Sequence, residues 1–400
     1  MTDKNYAVIL DYARTPFAKA ASPKKPGALA DQDALDMMVE PVNKMIERTG
    51  VDPKDIKKVL AGAVHQEAQQ GLNIGRLLVL DDRTKLDTEA TGGTTVDRFC
   101  GSSMETIAMA SDAVIARDAG AVYLCTGVQS MSQIPMGGIN PLLNEHVHAG
   151  NAAGFMNMGV TAENLAEMYG ISRLDQDEFA SRSHQKTAAA HEKGHFTSEI
   201  APLAGLDYDN GVRADTTAES IGGLRTVFKA AEAGGTVTGA NASQVSDGAS
   251  AVLVSSEAYA VANNIPVKAR ILSFGESAIQ PEIMGLGPVE ASKDALKSAG
   301  LTMADIDAVE LNEAFAAQSI AVLKELEKQG MGIDEAKLNV DGGAIAMGHP
   351  LGASGARLVG HLAEVLGREN KRYGLATMCI GGGQGVAMVI ENPNFNGPSI

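Results

Sequence analysis

The chain has 400 residues, 44% of them apolar and 20% charged, a composition that predicts a sizeable core in two or three domains and argues against disorder. Its formal net charge of −16 argues against non-specific binding to nucleic acid or to anionic lipid. Its three cysteines are odd in number and widely spaced, which argues against a disulfide framework or a metal site and indicates a reducing compartment.

The amino-terminal residues do not have the pattern of a signal peptide, because no basic region precedes a long apolar stretch. No run of about 18 apolar residues occurs, so we expect no transmembrane helix and no membrane insertion. The last residues, Pro-Ser-Ile, are not a peroxisomal address. Together these features predict a cytoplasmic protein.

The predicted elements repeat in the two halves of the chain. Residues 50–59, GVDPKDIKKV, match residues 300–309, GLTMADIDAV, and each stretch follows an amphipathic helix and leads into a short strand. Two further matches follow in the same order, a Gly/Ser-rich turn that opens a helix (100–110 and 348–358) and a strand that ends in Cys-x-Gly (122–127 and 376–382). The shared order indicates an ancient duplication.

Residues 128–245 differ from both halves, since they are rich in Gly, Met and Asn and have few strand-like runs. We predict that they form an inserted loop domain that covers a site. The amino-terminal half then comprises residues 1–127 and 246–268, and the carboxy-terminal half comprises residues 269–400. Alternating helices and strands predict a layered α/β domain in each half, and two such domains packed together would give five layers.

Cys100 lies in VDRFCGSSM, between a β-compatible stretch and a helical apolar pattern. A thiol at a helix start is close to free N–H groups and to the positive end of the helix dipole, which favours the thiolate. Small neighbours, Gly101 to Ser103, would let a substrate approach closely. Cys100 is therefore a candidate nucleophile, although a buried structural cysteine explains this motif taken alone.

His349 lies in GGAIAMGHPLGASGAR, where Pro350 keeps it out of helical geometry. A histidine on such a turn is a candidate general base. We expect most of the other histidines at the surface or in loops: His65, His146, His148, His184, His191, His195 and His361.

Two more residues stand at the ends of predicted strands. Cys379 precedes three glycines in ATMCIGGGQG, and backbone N–H groups of such a loop can converge on an oxyanion. Cys125 lacks these glycines and fits a buried strand-end cysteine. Asn312, in VELNEAFAAQ, is either a helix cap or a residue that holds a water or a carbonyl oxygen, and the sequence does not decide between these roles.

The blocks VDRFCGSSM, NEAFAAQ, GGAIAMGHPLGASGAR and ATMCIGGGQG, in this order, resemble the thiolase family, and the resemblance covers essentially the whole chain. It implies a thiolase-like α/β fold: a duplicated, layered α/β/α/β/α architecture with an inserted loop domain. It also implies a homodimer or homotetramer and allows association with other β-oxidation enzymes. The resemblance implies no metal or redox cofactor. Coenzyme A would be a substrate.

The resemblance implies a role for each candidate in the catalytic site. Cys100 would accept the acyl group, His349 would deprotonate it, and Cys379 would move the proton at the α-carbon of acetyl-CoA. Asn312, through a water, would form one oxyanion hole with His349. The backbone N–H groups of Cys100 and Gly381 would form the other.

The resemblance also implies the contacts with coenzyme A, along the inserted region. Arg213 would lie near the nucleotide, and Ser220 and Ser243 would line the ligand. The residues expected to flank the pantetheine and the acyl group are Met158, Met284, Ala314 and Phe315.

One position bears on the subgroup. Acetoacetyl-specific thiolases usually carry His immediately before the Met-Gly of MGVTAEN, where this chain has Asn157. This favours the degradative subgroup, which cleaves 3-ketoacyl-CoA with coenzyme A to acetyl-CoA and a shortened acyl-CoA in fatty-acid β-oxidation. The alternatives are an acetoacetyl-CoA thiolase that runs the Claisen condensation and, more remotely, a non-catalytic acyl-CoA-binding protein. The latter should have lost Cys100, His349 or Cys379, and all three are present.

Overall fold

The computed structural model describes residues 6–20 and 25–397 of the chain. Within them the strands are β1 (Ala7–Arg14), β2 (Ala18–Lys19), β3 (Ile56–Ala63), β4 (Gly92–Val96), β5 (Val122–Ser130), β6 (Ser246–Ser256), β7 (Ala269–Ala278), β8 (Ala308–Leu311), β9 (Tyr373–Ile380) and β10 (Gln384–Glu391). The α-helices are α1 (Ala34–Thr49), α2 (Ile74–Leu80), α3 (Ser102–Ala116), α4 (Glu145–Asn151), α5 (Met158–Met168), α6 (Arg173–Glu192), α7 (Ala218–Gly222), α8 (Glu257–Ala262), α9 (Gly287–Ala299), α10 (Ala316–Lys328), α11 (Ala344–Met347) and α12 (Ser354–Arg368).

The strand pairing repeats in the two halves. In the first half, β1 pairs antiparallel with β6, β6 antiparallel with β5, and β5 parallel with β3. In the second half, β7 pairs antiparallel with β10, β10 antiparallel with β9, and β9 parallel with β8. Antiparallel pairing between β1 and β7 joins the strands of the two halves into one sheet. The predicted duplication is therefore confirmed at the level of topology.

The match between residues 50–59 and 300–309 arises because two helices end in the same way. Helix α1 ends at Gly50 and helix α9 at Gly300, with φ values of 68° and 71° in the left-handed region that glycine adopts without a Cβ clash. A short 3₁₀ turn follows in each case, Pro53–Asp55 and Met303–Asp305, and leads the chain into β3 or β8. The same helix end thus sets the same approach to a parallel strand.

The layers follow from which faces of the strands are buried. Along β10, Val386 and Met388 face a central apolar cluster that includes α3 and α12, while Ala387 and Val389 face an outer cluster formed with α9 and α10. This alternation, with both faces buried, is typical of a sheet covered by helices on both sides. A second outer cluster packs α1 and α2 on the first half. The predicted order of five layers is confirmed.

The region between β5 and β6 carries α4 to α7 and long connecting loops. Helix α6 begins with a capping box, in which the Ser172 side chain accepts the Asp175 N–H at 3.1 Å. Buried ion pairs tie this region to β1, since Arg14 contacts Glu199 at 2.7 Å and Asp209 at 2.6 Å. The predicted bounds of the inserted domain, and of the two halves, stay predictions.

His361 is an exception to the expectation that most of the remaining histidines lie at the surface or in loops. It is fully buried on α12, where it contacts Glu199 at 2.8 Å and Asp341 at 3.2 Å. Burial lowers the pKa of His361, but the two carboxylates outweigh it and raise the pKa to about 10. The physical reason is that α12 lies with α3 in the central layer of the fold, so even its polar side chains are enclosed and must be paired. His184 is also buried.

No helix in the described part of the chain is long and apolar enough to cross a membrane. Over the same residues, no group of three or more His, Cys, Asp or Glu side chains has the arrangement of a metal site.

Candidate active site

A cavity of about 250 Å³ is lined by Cys100, His349 and Cys379, the three residues that the sequence predicted as reactive. Most of the remaining wall is apolar. Met131 directly follows β5, Met136 and Phe228 come from farther along the region between β5 and β6, and Leu351 follows His349. Two thiols and one imidazole therefore lie in a mostly apolar wall, and these surroundings strengthen any electrostatic interaction between them.

Cys100 lies in the turn between β4 and α3. The preceding residue, Phe99, has a left-handed backbone with φ of 46°, and Asp97 stabilises the turn by accepting the Phe99 N–H at 2.9 Å. Residues 102–116 then form α3, as predicted for a helix that starts behind the thiol. The turn leaves Cys100 partly exposed in the cavity wall.

The start of α3 does not make Cys100 a resting thiolate, contrary to what the sequence led us to expect. Desolvation raises the pKa of Cys100 to about 11, and hydrogen bonds from the backbone N–H groups of Gly381 and of Cys100 itself offset only part of this effect. A resting thiol needs a base to become a nucleophile. The same contacts place the two N–H groups predicted for one oxyanion hole at the sulfur.

His349 is oriented as that base. Its Nδ1 atom lies 2.5 Å from Ser354 Oγ, and the Ser354 hydroxyl donates to the Pro350 carbonyl at 3.0 Å. With its hydroxyl donated to Pro350, Ser354 accepts from Nδ1, and this arrangement assigns the ring proton to Nδ1 and leaves Nε2 as an acceptor. Burial, followed by the charge of Arg357, lowers the pKa of His349 to about 3, so the ring is neutral before reaction.

Asn312 is not a helix cap. Helix α10 begins at Ala316 after Phe315, and Asn312 instead directly follows β8, where its N–H donates to the Thr377 carbonyl at 3.0 Å. Its Nδ2 atom lies 3.3 Å from His349 Nε2, and its buried Oδ1 has no hydrogen-bond partner in the described part of the chain. A water or a substrate oxygen could be held beside this pair, as the second predicted role requires.

Cys379 lies near the end of β9, is 1% exposed and packs against Met284 and Ala314. Burial, together with the neighbouring Cys100, raises the pKa of Cys379 well above its usual range. The strand then leaves through Gly382 and Gly383, which have φ values of 78° and 85°. Cys379 is thus a proton-carrying thiol next to the candidate nucleophile.

The structure brings five of the seven predicted substrate contacts to the cavity: Ser243, Met158, Met284, Ala314 and Phe315. Arg213 and Ser220 do not line it. Arg213 is exposed. Lys19 is close enough to both Arg213 and Lys25 to interact with them electrostatically. Ser220 is exposed in the first turn of α7, where its Oγ accepts the Thr217 N–H at 3.0 Å.

Sequence reasoning missed Ser354, whose only signal is a position five residues after His349 in the same glycine-rich turn. It also missed that Asn157, besides lining the cavity, begins α5, where its Oδ1 accepts the Gly159 N–H at 2.9 Å. Met131 and Met136 carry no motif and could be found only from the folded chain.

The chain belongs to the thiolase family: residues 7–258 match the thiolase N-terminal domain, and residues 265–392 match the thiolase C-terminal domain.

The 3-ketoacyl-CoA thiolase of Vibrio cholerae serotype O1 is 43% identical to this chain over 97% of it and 100% of that protein. The 3-ketoacyl-CoA thiolase of Pseudoalteromonas translucida is 43% identical over 97% of this chain and 99% of that protein. Among solved structures, human mitochondrial 3-ketoacyl-CoA thiolase in complex with CoA is similar with a TM-score of 0.86 and 36% identity, over 97% of this chain and 98% of that chain.

Proposed function

We propose that the protein is an acyltransferase that acts as a 3-ketoacyl-CoA thiolase. It cleaves 3-ketoacyl-CoA with coenzyme A and yields acetyl-CoA and an acyl-CoA shortened by two carbons. The observation that carries the proposal is the convergence of Cys100, His349 and Cys379 on one cavity. The chain around it is 43% identical to 3-ketoacyl-CoA thiolases over nearly its whole length.

In the first half of the reaction, His349 Nε2 takes the Cys100 proton and the sulfur attacks the 3-keto carbon of the substrate. The bond between C2 and C3 breaks, the acyl group stays on Cys100 as a thioester, and the electron pair leaves as the enolate of acetyl-CoA. Cys379 donates its proton to C2 and acetyl-CoA departs. Splitting the cleavage in this way replaces one difficult step by two easier ones.

In the second half, coenzyme A enters, and its thiol proton passes to Cys379, which restores that residue. The coenzyme A sulfur attacks the thioester carbon, and the tetrahedral intermediate expels the Cys100 thiolate. His349 returns the proton to Cys100. Every step moves an acyl group or a proton, so no electron acceptor enters the balance.

Two sets of donors serve the two oxyanions. The backbone N–H groups of Cys100 and Gly381, both directed at the sulfur, would hold the oxygen of the tetrahedral intermediate. The pair of Asn312 and His349 would hold the enolate oxygen, with a water on Asn312. Because the cavity wall is mostly apolar, each donor acts in a low dielectric and contributes more than it would in water.

Coenzyme A would enter past Ser243, with its pantetheine between Met158 and Phe315. The nucleotide end, which is anionic, would reach the exposed cluster of Lys19, Lys25 and Arg213 outside the cavity. This local positive charge contrasts with the net charge of −16 of the whole chain. Ser220 would lie along the same path, on α7.

The test is a panel of 3-ketoacyl-CoA substrates of four to ten carbons, assayed with coenzyme A for acetyl-CoA formation, with Cys100→Ala as the inactive control. Product formation by the wild type alone supports the proposal. Binding of the substrates without products would contradict it and leave an acyl-CoA-binding protein. Activity confined to acetoacetyl-CoA would instead favour the acetoacetyl-CoA thiolase.

A homodimer or homotetramer, association with other β-oxidation enzymes and a cytoplasmic location belong to the same proposal. The three cysteines are free thiols, which fits a reducing compartment. Light scattering of the purified protein is the test of assembly, and a particle of 41.5 kDa at working concentration would contradict it.

A further inference from the structure

A buried carboxylate follows Asn312 directly in the chain. Glu313 is 2% exposed and lies in the turn between β8 and α10. Its oxygens accept three hydrogen bonds, from the Ser183 hydroxyl at 2.6 Å, the Asn339 Nδ2 at 2.8 Å and the Ile345 N–H at 3.2 Å. Burial raises the pKa of Glu313 above its usual value, and the three hydrogen bonds oppose this effect. Among the described residues, three donors and no acceptor around its oxygens suit an ionised carboxylate, which can only accept.

The Asn339 side chain is locked and cannot turn to suit a different residue at position 313. Its Oδ1 accepts the Leu311 N–H, and its Nδ2 donates to the Leu311 carbonyl, each at 2.9 Å. These two bonds fix which end of the amide faces Glu313, so Asn339 always presents a donor there. They also tie Glu313 to Leu311, the last residue of β8, which Asn312 directly follows.

The Ile345 contact ties Glu313 to the segment that carries His349. Ile345 lies in α11, four residues before His349, and its N–H is held by the carboxylate. Gly343 packs so closely that a Cβ atom there would lie 2.3 Å from Glu313 Cδ. Ser183, on α6, adds a third support from the region between β5 and β6.

We infer that Glu313 is a positioning residue for the reaction, because it joins the two segments whose Asn312 Nδ2 and His349 Nε2 atoms lie 3.3 Å apart. The inference rests on the proposed function, in which this pair stabilises the enolate of acetyl-CoA. Glu313 does not line the cavity and acts through its neighbours. A misplacement of about 1 Å at such a site costs on the order of 100-fold in rate.

Glu313→Gln is the sharpest variant, because it keeps the shape and turns one acceptor into a donor. In one orientation its NH₂ group faces the locked Asn339 donor, and in the other it faces the Ile345 N–H. In either orientation one donor therefore faces another. The segments that carry Asn312 and His349 must then shift relative to each other. We expect α-proton exchange of acetyl-CoA with D₂O to slow by about tenfold or more, with KM changed by less than about threefold.

Formation of the acyl-enzyme separates positioning from general damage. His349 is held independently by Ser354, and the tetrahedral intermediate uses the N–H groups of Cys100 and Gly381. We therefore expect Glu313→Gln to acylate Cys100 within about threefold of the wild-type rate. Unchanged proton exchange, or equal losses in exchange and acylation, would overturn the inference.

Glu163→Gln is the matched control. Glu163 is also a buried carboxylate, 3% exposed, and accepts the N–H groups of Thr236 and Val237, in a segment that carries neither Asn312 nor His349. It should lower thermal stability and leave the ratio of exchange to acylation unchanged. A ratio altered as much as in Glu313→Gln would overturn the inference.

If Glu313→Gln does not fold, Ser183→Ala takes its place, because it removes one of the three donors and leaves the carboxylate intact. It should slow exchange more than acylation, and equal losses would overturn the inference. The failure of the proposed function looks different: a wild-type protein that neither exchanges α-protons nor forms an acyl-enzyme would contradict the function itself.

Discussion

The Nδ1 atom of His349 lies 2.5 Å from Ser354 Oγ, in the first turn of α12. This contact decides which ring nitrogen carries the proton, because the serine hydroxyl is already donated to Pro350. The lone pair of His349 is left on Nε2, on the side of Asn312. One serine thus prepares a neutral imidazole to accept the proton of Cys100.

Ser354→Ala should slow acyl-enzyme formation by about 10- to 100-fold, because the ring loses the partner that fixes its tautomer and orientation. The measurement is rapid-mix mass spectrometry of Cys100 acetylation by acetyl-CoA. Ser250→Ala is the control, since it removes another buried serine hydroxyl that donates to the same end of α12, at Ala353, without touching His349. Equal rates in Ser354→Ala and wild type would contradict the assigned tautomer.

Cys100 should be the thiol that iodoacetamide modifies first, because Cys125 and Cys379 are buried. The thiolate is the reactive form, and the pKa of Cys100 is raised to about 11, so its reactive fraction grows as pH rises. We expect the labelling rate to increase about tenfold per pH unit between pH 7 and 10. Peptide mapping checks both points. Preferential labelling of Cys125 with full activity, or a rate that levels off near pH 7, would be inconsistent with them.

Substitution of Cys100 and substitution of Cys379 should abolish different steps of the reaction. Cys100→Ala should form no acyl-enzyme at all, since no other thiol in the cavity is assigned to accept the acyl group. Cys379→Ala should still become acylated but lose deuterium wash-in at the α-carbon of acetyl-CoA. Mass spectrometry reads the first effect and proton exchange reads the second. Normal exchange by Cys379→Ala would remove its assigned role.

The repeat, the layers and the reactive residues could be predicted from the sequence because each leaves a local signal. Gly50 and Gly300 mark equivalent helix ends, and the glycines around His349 and after Cys379 mark turns that need close backbone approach. The thiol pKa of Cys100 could not be predicted in this way, because it is a balance of burial against two N–H groups, one of them from the distant Gly381. The sequence shows where the helix starts but not how deeply the turn that carries Cys100 is buried.

The same limit explains His361. Its surroundings come from Glu199, in the region between β5 and β6, and from Asp341, in the segment before His349. No spacing in the sequence connects these three residues. These residues meet because α12 lies in the central layer, which is a property of the assembled fold.

His361 should make stability depend on pH. Its pKa is raised to about 10 in the folded protein and is near 6.5 when unfolded, so the folded state holds a proton that the unfolded state releases. The stabilisation is complete below pH 6.5 and is lost as pH rises towards 10, by at most about 1.4 kcal/mol per pH unit.

Denaturant unfolding at pH 7, 8 and 9 measures this effect. His361→Gln should be less stable than wild type at pH 7, because the carboxylates of Glu199 and Asp341 lose a charged partner. The difference between the two proteins should shrink at pH 9, since the wild type has by then lost part of its advantage. A constant difference over this range would show that His361 does not hold the extra proton.

Asn157 should set the preference for acyl chain length. It lines the cavity next to Met158, and its Oδ1 caps α5 by accepting the Gly159 N–H at 2.9 Å. Asn is shorter than the histidine typical of acetoacetyl-specific thiolases, and the flexible thioethers of Met131, Met136 and Met158 can adapt to different chains. Each buried CH₂ contributes on the order of 0.8 kcal/mol. We therefore expect 3-ketoacyl-CoA longer than four carbons to be cleaved at least as well as acetoacetyl-CoA.

Two substitutions separate the shape of the pocket from the helix cap. Asn157→His places an imidazole in the cavity wall and removes the cap, which costs about 1 kcal/mol of stability. Asn157→Ser keeps a capping oxygen and adds no bulk. The ratio of kcat/KM for six- to ten-carbon substrates to that for acetoacetyl-CoA should therefore fall in the histidine variant and hold or rise in the serine variant. A wild-type ratio far below one would overturn the degradative assignment and leave the thiolase chemistry intact, because Cys100, His349 and Cys379 serve both reactions.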